Sequence, residues 1–286
     1  MSVSGNDLAG RSILVTGGST GIGLAICEEV ATRGARVIAV ARDSSRLAAS
    51  VGGLPGEGHL AHPIDVADAD AWPTLISEAT ADGDLHGLVT AAAALEPIGP
   101  TAAVDPARVL ATLKTNLWGT FLAIHHTLPA LAAAEDGAIV TLSGGGATGP
   151  LPRYDAYAMS KAGVVRLTEN VAADESRVRV NAIAPGFVAT QMHEATLAAG
   201  EELAGPYAGR TREQLEEGGV PAARAAALAA LLLGAMGSGI SGKLISAPWD
   251  PWEDPAFRSR LAAEPNLCTL RRIDEVFFGP LPGADG

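Results

Sequence analysis

The sequence predicts an α/β fold, a doubly wound seven-stranded parallel sheet with helices on both faces. Short runs rich in β-branched residues alternate along the chain with longer helical patterns. Several of these runs are apolar without the alternation of a half-exposed strand, and that is typical of strands covered on both faces by helices. The predicted strands are residues 12–16, 36–41, 61–65, 87–90, 138–142, 178–184 and 243–246.

The first predicted helix lies between the first two strands. Ile22, Ile26 and Val30 recur every fourth residue and Gly34 ends the pattern, which makes the segment a βαβ unit. The apolar run 225–236 is shorter than the roughly 20 residues of a membrane span, so we expect a core helix there.

Two further helices are predicted in the middle of the chain. Asp105 is suited to cap the first, and the second covers about residues 157–173. The stripe of the first helix that we expect to face the sheet is Val109, Leu113, Leu117, Phe121 and Ile124. Its apolar residues outside that stripe are Leu110, Trp118, Leu122 and Ala123. A broad exposed apolar face usually marks an interface, so we expect a homotetramer or homodimer.

No repeat, linker or low-complexity tract divides the chain, which predicts a single domain over residues 1–246. Residues 247–286 form an extension rich in tryptophan and proline, expected to pack on the domain or on a neighbouring subunit. Two interpretations remain open for its Trp249 and Trp252: they wall a pocket, or they are buried in a subunit contact.

Composition excludes several classes of function. The net charge of −12 opposes binding to phosphate backbones, so we expect no nucleic-acid partner. Cys27 and Cys268 cannot supply a thiolate zinc site, the histidines show no ligand spacing, and we expect no metal. The first ten residues lack the pattern of a signal peptide. We therefore expect a cytoplasmic protein without a membrane segment.

A glycine-rich turn joins the first strand to the first helix. Glycines at such a turn let the backbone approach a pyrophosphate and aim the helix N-terminus at its charge. Alone it could be a tight turn, but its place in a βαβ unit predicts a dinucleotide site. The residues expected to touch the cofactor here are Gly17, Ser19, Thr20, Gly21, Ile22 and Gly23.

A second motif is the pair Tyr157 and Lys161. Residues four apart in a helix share one face, so the phenol and the ammonium lie side by side. The alternative is a solvated helix face.

In this order and separation, the two motifs resemble the short-chain dehydrogenase/reductase family over about residues 8 to 246. The resemblance implies a Rossmann fold that binds NAD(P) and interconverts a secondary alcohol and a ketone. The pair Asp65-Val66, the helix residue Asn116, and Pro185-Gly186 followed by Thr190 resemble further landmarks of the family. The additional cofactor contacts implied are Asp65, Val66, Ala91, Tyr157, Lys161, Pro185, Gly186, Val188 and Thr190.

The resemblance also assigns roles. Tyr157 is the general acid/base, and Lys161 lowers the pKa of the phenol by its charge while holding the cofactor ribose. Asn116 supports a water relay to Lys161. Ser143 is the candidate for polarising the substrate oxygen.

The sequence departs from the family pattern at two strand ends. Thr90-Ala91-Ala92-Ala93 replaces a run with side-chain amides that braces neighbouring strands. The family's serine sits one residue nearer the tyrosine than Ser143, where this chain has Gly144. A one-residue bulge in the glycine run would restore the reach of Ser143. The alternative for Ser143 is a hydroxyl that caps backbone groups at the end of the strand.

The end of the second strand indicates the choice of cofactor. NAD-specific relatives carry an acid where this chain has Ala41, and Arg42 follows, which favours NADP(H) over NAD(H). Against this, Arg42 could be solvated or paired with Asp43, and Thr20 stands where many NADP enzymes have a second base.

The substrate is less defined by the sequence. We expect a small polar metabolite, sugar-like or an intermediate of secondary metabolism. His193 and Glu194 lie where the family places its substrate loop, and a solvated loop is the interpretation preferred for them. The alternative function is a non-catalytic dinucleotide-binding protein that responds to redox state.

Overall fold

A seven-stranded parallel sheet, in the order β3-β2-β1-β4-β5-β6-β7, forms the centre of the molecule. The structure is a computed structural model that describes residues 6–190 and 192–271. It confirms the predicted α/β class and the parallel, doubly wound sheet. The strands are β1 (Ser12–Thr16), β2 (Arg36–Ala41), β3 (Leu60–Pro63), β4 (Gly87–Thr90), β5 (Ala138–Leu142), β6 (Arg179–Ala184) and β7 (Leu244–Ser246).

Four strand ends differ from the prediction, the first being the start of β3 at Leu60, one residue earlier than predicted. β3 ends at Pro63 because the amide of Ile64 turns back to the carbonyl of His62 instead of continuing the ladder. β7 begins at Leu244, since the amide of Lys243 donates to the side chain of Asn181. β6 begins at Arg179, one residue later than predicted.

Helices flank both faces of the sheet. Their bounds are α1 (Gly21–Thr32), α2 (Ser44–Gly52), α3 (Trp72–Ala79), α4 (Pro106–Leu113), α5 (Gly119–Ala133), α6 (Asp155–Asp174), α7 (Met192–Ala204), α8 (Tyr207–Glu216), α9 (Ala222–Leu233) and α10 (Pro255–Ala263). Single 3-10 turns occupy Ala69–Ala71 and Ala235–Gly237, and a π-helical segment, Lys114–Trp118, joins α4 to α5.

Each face of the sheet has its own buried core. α1 and α9 cover one face, where Val15 and Val140 are completely buried. α3, α5 and α6 cover the other, against Leu14 and Ile139. Neighbouring residues on one strand thus lie in different cores, which explains why β1 is apolar without alternation.

The π-helical segment changes which residues of the α4–α5 helix face the sheet. Leu122 and Ala123, predicted to lie outside the buried stripe, are buried, whereas Phe121, predicted within it, is 40% exposed. A π segment inserts an extra residue into the turn and therefore rotates the helix that follows. The predicted stripe was wrong at these positions because it assumed one unbroken α-helical period.

The segment after β6 is helical, contrary to the preferred prediction of a solvated loop at His193 and Glu194. Both residues lie in α7, which bends at Gly200, where φ is +63°. Glu194 is exposed, but His193 is half-buried.

The described part of the extension, residues 247–271, packs against the sheet domain. Trp252 is buried in the same core as α9, and its indole Nε1 donates to the carbonyl of Ala247 at 2.9 Å. Lys243 is also buried, and its Nζ donates to three carbonyls just beyond α10. The rest of the extension, residues 272–286, lies outside the described residues. The domain division at residue 246 stays a prediction.

Within the described ranges, no helix combines the length and apolar character needed to cross a membrane. The run predicted as a core helix is α9, whose leucines are buried.

Candidate active site

A large cleft, about 2130 Å³ in volume, lies at the carboxyl ends of the strands. β1 has β2 on one side and β4 on the other, so the order in which strands are added to the sheet reverses at β1. Doubly wound folds bind ligands at such a point. All but one of the predicted site residues line it, namely Gly17, Ser19, Thr20, Gly21, Ile22, Gly23, Arg42, Asp65, Val66, Ala91, Ser143, Tyr157, Lys161, Pro185, Gly186, Val188 and Thr190. Asn116 lies behind the cleft wall.

The turn between β1 and α1 can bind an anion close to its backbone. Gly17 has a φ of +71°, and a Cβ there would lie 2.7 Å from the amide nitrogen of Ala92. A Cβ at Gly23 would lie 2.2 Å from the carbonyl oxygen of Gly17. Only glycine fits both positions, and α1 begins at Gly21 with its N-terminus at the cleft. This arrangement fits the pyrophosphate of a dinucleotide.

The end of β2 places two arginines at the same cleft. Asp43 caps α2 by accepting from the amide of Arg46 at 3.0 Å, and its other oxygen lies 3.7 Å from Arg46 Nε. Arg42 is exposed and has no acidic partner within 4.0 Å among the described residues. The predicted alternative of an Arg42–Asp43 pair is therefore not seen. Arg46 was not predicted as a site residue, because only the first turn of α2 brings it to the cleft.

Tyr157 and Lys161 lie on one face of α6, as predicted; Lys161 is buried, and Tyr157 is half-buried at the wall of the cleft. The Nζ of Lys161 donates to the carbonyl of Leu142 at 2.8 Å and lies 5.5 Å from the centroid of the phenol ring. Burial lowers the pKa of Lys161 to about 8. Burial, with a smaller contribution from Tyr207, raises the pKa of Tyr157.

The expected lowering of the Tyr157 pKa by the charge of Lys161 is not seen. Loss of hydration on burial dominates and raises the pKa of the phenol above its ordinary value. The phenol is therefore protonated at neutral pH.

Asn116 lies in the π-helical segment and clamps the backbone beyond β4. Its Oδ1 accepts from the amide of Ala94 at 2.7 Å, and its Nδ2 donates to the Ala94 carbonyl at 2.8 Å and to Ser160 Oγ at 3.0 Å. Ser160 in turn donates to the carbonyl of Tyr157 at 2.7 Å. The side chain therefore links the alanine-rich end of β4 to the helix that carries the tyrosine.

Ser143 directly follows β5. Its amide donates to the carbonyl of Ile183 at 2.8 Å and so continues the β5–β6 ladder. A bulge in the glycine run would therefore have to begin after Ser143. Its Oγ is buried and has no hydrogen-bond partner among the described residues. The residue that faces the phenol is Gly144, where an added Cβ would lie 2.4 Å from Tyr157 Oη.

Residues that follow β6 and residues of α8 line another part of the cleft, which little in the sequence indicates. The His193 ring stacks on Phe187 with centroids 4.0 Å apart, and burial lowers its pKa. Tyr207 and Arg210 of α8 and Trp249 beyond β7 also line the cleft. Of these residues, only His193 and Trp249 stood out in the sequence.

These features define a class of protein, a dinucleotide-dependent oxidoreductase of the doubly wound α/β type. Its glycine turn fits a pyrophosphate, and a half-buried phenol beside a buried ammonium lines the same cleft. Residues 11–200 match the family described as short chain dehydrogenase, and the chain belongs to that family. It is therefore an oxidoreductase that acts on alcohol or ketone substrates with NAD(P).

Three similar proteins illustrate the relationship. D-threitol dehydrogenase of Mycolicibacterium smegmatis is 36% identical over 190 residues, which are 65% of this chain and 73% of that protein. Cis-4-hydroxycyclohexanecarboxylate dehydrogenase of Sinomonas cyclohexanicum is 36% identical over 196 residues, which are 66% and 77% of the two chains. A crystal structure of levodione reductase superimposes with a TM-score of 0.76 at 26% identity, over 90% of this chain and 99% of that chain.

Proposed function

We propose that the protein interconverts a secondary alcohol and a ketone on a small polar metabolite, with Tyr157 as general acid/base and NADP(H) preferred over NAD(H). The observation that carries the proposal is the placement of a half-buried Tyr157 beside a buried Lys161 in the cleft that the glycine turn opens. A phenol at the wall of the cleft, one helical turn from an ammonium, can exchange a proton directly with a substrate oxygen.

The residues for the cofactor follow the length of the cleft. The backbone from Gly17 to Gly23 would hold the pyrophosphate, and Asp65 and Val66 would contact the adenine. Lys161 and the Pro185-Gly186 turn would hold the nicotinamide half. When bound, the nicotinamide supplies a hydride donor or acceptor at its C4 position.

Proton handling belongs to Tyr157. In ketone reduction, the protonated phenol donates from Oη to the substrate oxygen as a hydride reaches the carbonyl carbon. In alcohol oxidation, the phenolate accepts the hydroxyl proton as the hydride leaves the same carbon. The raised pKa of Tyr157 favours the protonated form, which is the form that reduction needs.

Ser143 is proposed to polarise the substrate oxygen. Ser143 lines the cleft, and its hydroxyl has no hydrogen-bond partner in the described structure, so a substrate oxygen would accept a hydrogen bond from it. Buried polar groups without partners are rare in proteins, and a ligand is one reason for their presence.

The preference for NADP(H) is supported by Arg42. A ribose 2′-phosphate at the end of β2 would meet this arginine, which has no acidic partner in the described structure, and Arg46 beside it. Ala41 offers no carboxylate to accept a hydrogen bond from a ribose hydroxyl.

The substrate class is supported by the cleft and by the similar proteins. Their names specify D-threitol and a hydroxycyclohexanecarboxylate, both small hydroxylated compounds. Polar side chains such as Arg210 and Glu213 lie at the mouth of the cleft.

A panel of small alcohols and ketones, followed at the nicotinamide absorbance with wild type and Tyr157→Phe, tests the proposal. The variant keeps the ring but lacks the transferable proton, so turnover should fall by about 10²–10⁴-fold. Cofactor affinity, measured by fluorescence titration, should change by no more than a few-fold. Activity within tenfold of wild type would refute the assignment of Tyr157.

A further inference from the structure

Trp249 is the most exposed of the large apolar side chains in the described structure. Its side chain is 78% exposed, and it lines the cleft. Apolar surface left in water gives up the free energy that burial would release, and an indole is the largest such surface a residue can present. A ligand that covers this ring would recover that free energy.

The backbone that carries Trp249 is held at both ends. The amide of Ala247 donates to the carbonyl of Ala184 at 2.9 Å, which extends the pairing of β6 and β7. The carboxylate of Asp250 accepts from the amide of Ser246 at 2.7 Å, so the residues on either side of the tryptophan are fixed. The exposed indole therefore stands on an ordered turn.

A second set of contacts supports the same turn from behind. Arg224 donates through Nε to the carbonyl of Ala247 at 3.0 Å and forms two hydrogen bonds with Glu253, at 2.6 and 3.1 Å. Its guanidinium also lies 4.8 Å from the centroid of the Trp252 ring. Trp252 is buried and structural, whereas Trp249, three residues earlier, is left in the open.

Trp249 shares the cleft with two other aromatic residues. Aromatic residues are only 4% of the chain, yet Phe187 and Tyr207 also line this cleft. Pro248 packs on Gly186, close enough that a Cβ on the glycine would lie 2.9 Å from its Cγ. The turn with Trp249 is thus attached directly to the predicted nicotinamide-side turn of the cleft.

We propose that Trp249 is a specificity-determining residue that stacks on the ring face of a cyclic alcohol or ketone, such as a hydroxylated six-membered ring. This inference rests on the proposed function. The flat indole complements the flat C–H face of a ring, and hydroxyl groups at the ring edge remain free for the polar groups of the cleft. An open-chain substrate covers less of the indole and gains less from it.

Two vicinal diols of equal carbon number, cyclohexane-1,2-diol and hexane-3,4-diol, separate ring from open chain. With saturating NADP⁺, the ratio of kcat/KM for the ring to that for the open chain should exceed one in wild type. Trp249→Ala should lower this ratio at least fivefold, and Trp249→Phe should keep most of it, since a phenyl ring still stacks. Leu197→Ala is the control, because Leu197 is exposed but lies outside the cleft, and it should leave the ratio unchanged.

Three outcomes would overturn the proposal. One is a ratio that Trp249→Ala does not change. Another is a wild type that prefers the open-chain diol, or that does not oxidise the cyclic diol and shows no binding of it by calorimetry. The third is a loss of oligomer mass in Trp249→Ala by sedimentation with the ratio retained, which would place the indole in a subunit contact. The proposed function is judged separately, since turnover of any alcohol that is lost in Tyr157→Phe supports it whatever Trp249 does.

Discussion

The phenolic Oη of Tyr157 lies against the bare Cα of Gly144, so closely that a Cβ on the glycine would be 2.4 Å from the oxygen. Real Cβ atoms do not approach other atoms this closely, so a side chain at position 144 must displace the reactive oxygen. The glycine that breaks the family's serine pattern is thus the residue that gives the phenol its place.

Gly144→Ala should therefore lower turnover at least tenfold, because a displaced phenol no longer matches the substrate oxygen. Cofactor affinity should stay within a few-fold, since the glycine turn between β1 and α1 is untouched. Steady-state kinetics and a fluorescence titration of NADPH measure the two effects. Gly145→Ala is the control, as its added Cβ would meet only Leu151, at 3.7 Å. Unchanged turnover in Gly144→Ala would show that the phenol adjusts at no cost.

Ser143→Ala should separate activity from stability. Loss of the hydroxyl that polarises the substrate oxygen should reduce turnover by about 10²-fold, with cofactor binding as in wild type. The same change removes a buried group that has no partner in the described structure, so the free energy of unfolding should rise by about 1 kcal/mol. Urea unfolding gives the second quantity. A near-normal rate would mean that another donor polarises the substrate.

Arg42→Ala should weaken NADPH binding by about 1.5–3 kcal/mol, the range of a hydrogen bond to a charged group, and leave NADH binding nearly unchanged. Arg46→Ala is the matched comparison and should have the smaller effect, since Asp43 lies beside that guanidinium. Dissociation constants for both cofactors decide the matter. Equal affinity of the wild type for NADPH and NADH would contradict the preference.

The buried ammonium of Lys161 predicts a pH dependence of stability. Its pKa is about 8 in the folded protein against 10.5 for the free side chain, so between these values the unfolded chain binds more protons. Stability therefore rises with pH through this window, and the penalty for burying the charge is fully present below pH 8. From pH 8 to 10 the gain is about 2 kcal/mol.

Urea unfolding of cofactor-free wild type and Lys161→Met measures this gain. The difference in stability between the two should shift in favour of wild type as pH rises from 8 to 10. Tyr157 is present in both proteins, so its own titration cancels in the comparison. Lys114→Met, a change at an exposed lysine, should show no such trend. A wild-type curve parallel to that of Lys161→Met would mean that the ammonium is hydrated.

The fold was predictable because local patterns and tertiary burial agree. Strands such as β1 and β5 are apolar on both faces, and the glycine turn has glycine at Gly17 and Gly23, where no other residue fits. The orientation of α5 was not predictable, because nothing in the sequence around Asn116 marks a π-helical turn. The aromatic residues Phe187 and Tyr207 of the cleft were also not predicted, because they come from separate parts of the chain that only the fold brings together.

Assembly is the last prediction, and the π-helical segment sharpens it. The exposed apolar residues of the α4–α5 helix are Leu110 and Trp118, 53% and 45% exposed, and Phe121. The rings of Trp118 and Phe121 stack with centroids 5.4 Å apart, which gives one continuous apolar surface on the side away from the sheet. A surface of this kind usually marks an interface, so we predict a homotetramer or homodimer with closed symmetry.

Sedimentation at micromolar concentration should show an assembled species that Phe121→Glu dissociates, because a carboxylate at this site would be buried without a partner. Leu197→Glu, a change at an exposed leucine of α7 outside this surface, should leave the assembly intact. Contact through this helix also braces α6, which packs beside α4 and carries Tyr157 and Lys161. Turnover should therefore fall together with assembly in Phe121→Glu. A single wild-type species near the chain mass of 28.9 kDa would rule the interface out, and an active dimer would exclude only the tetramer.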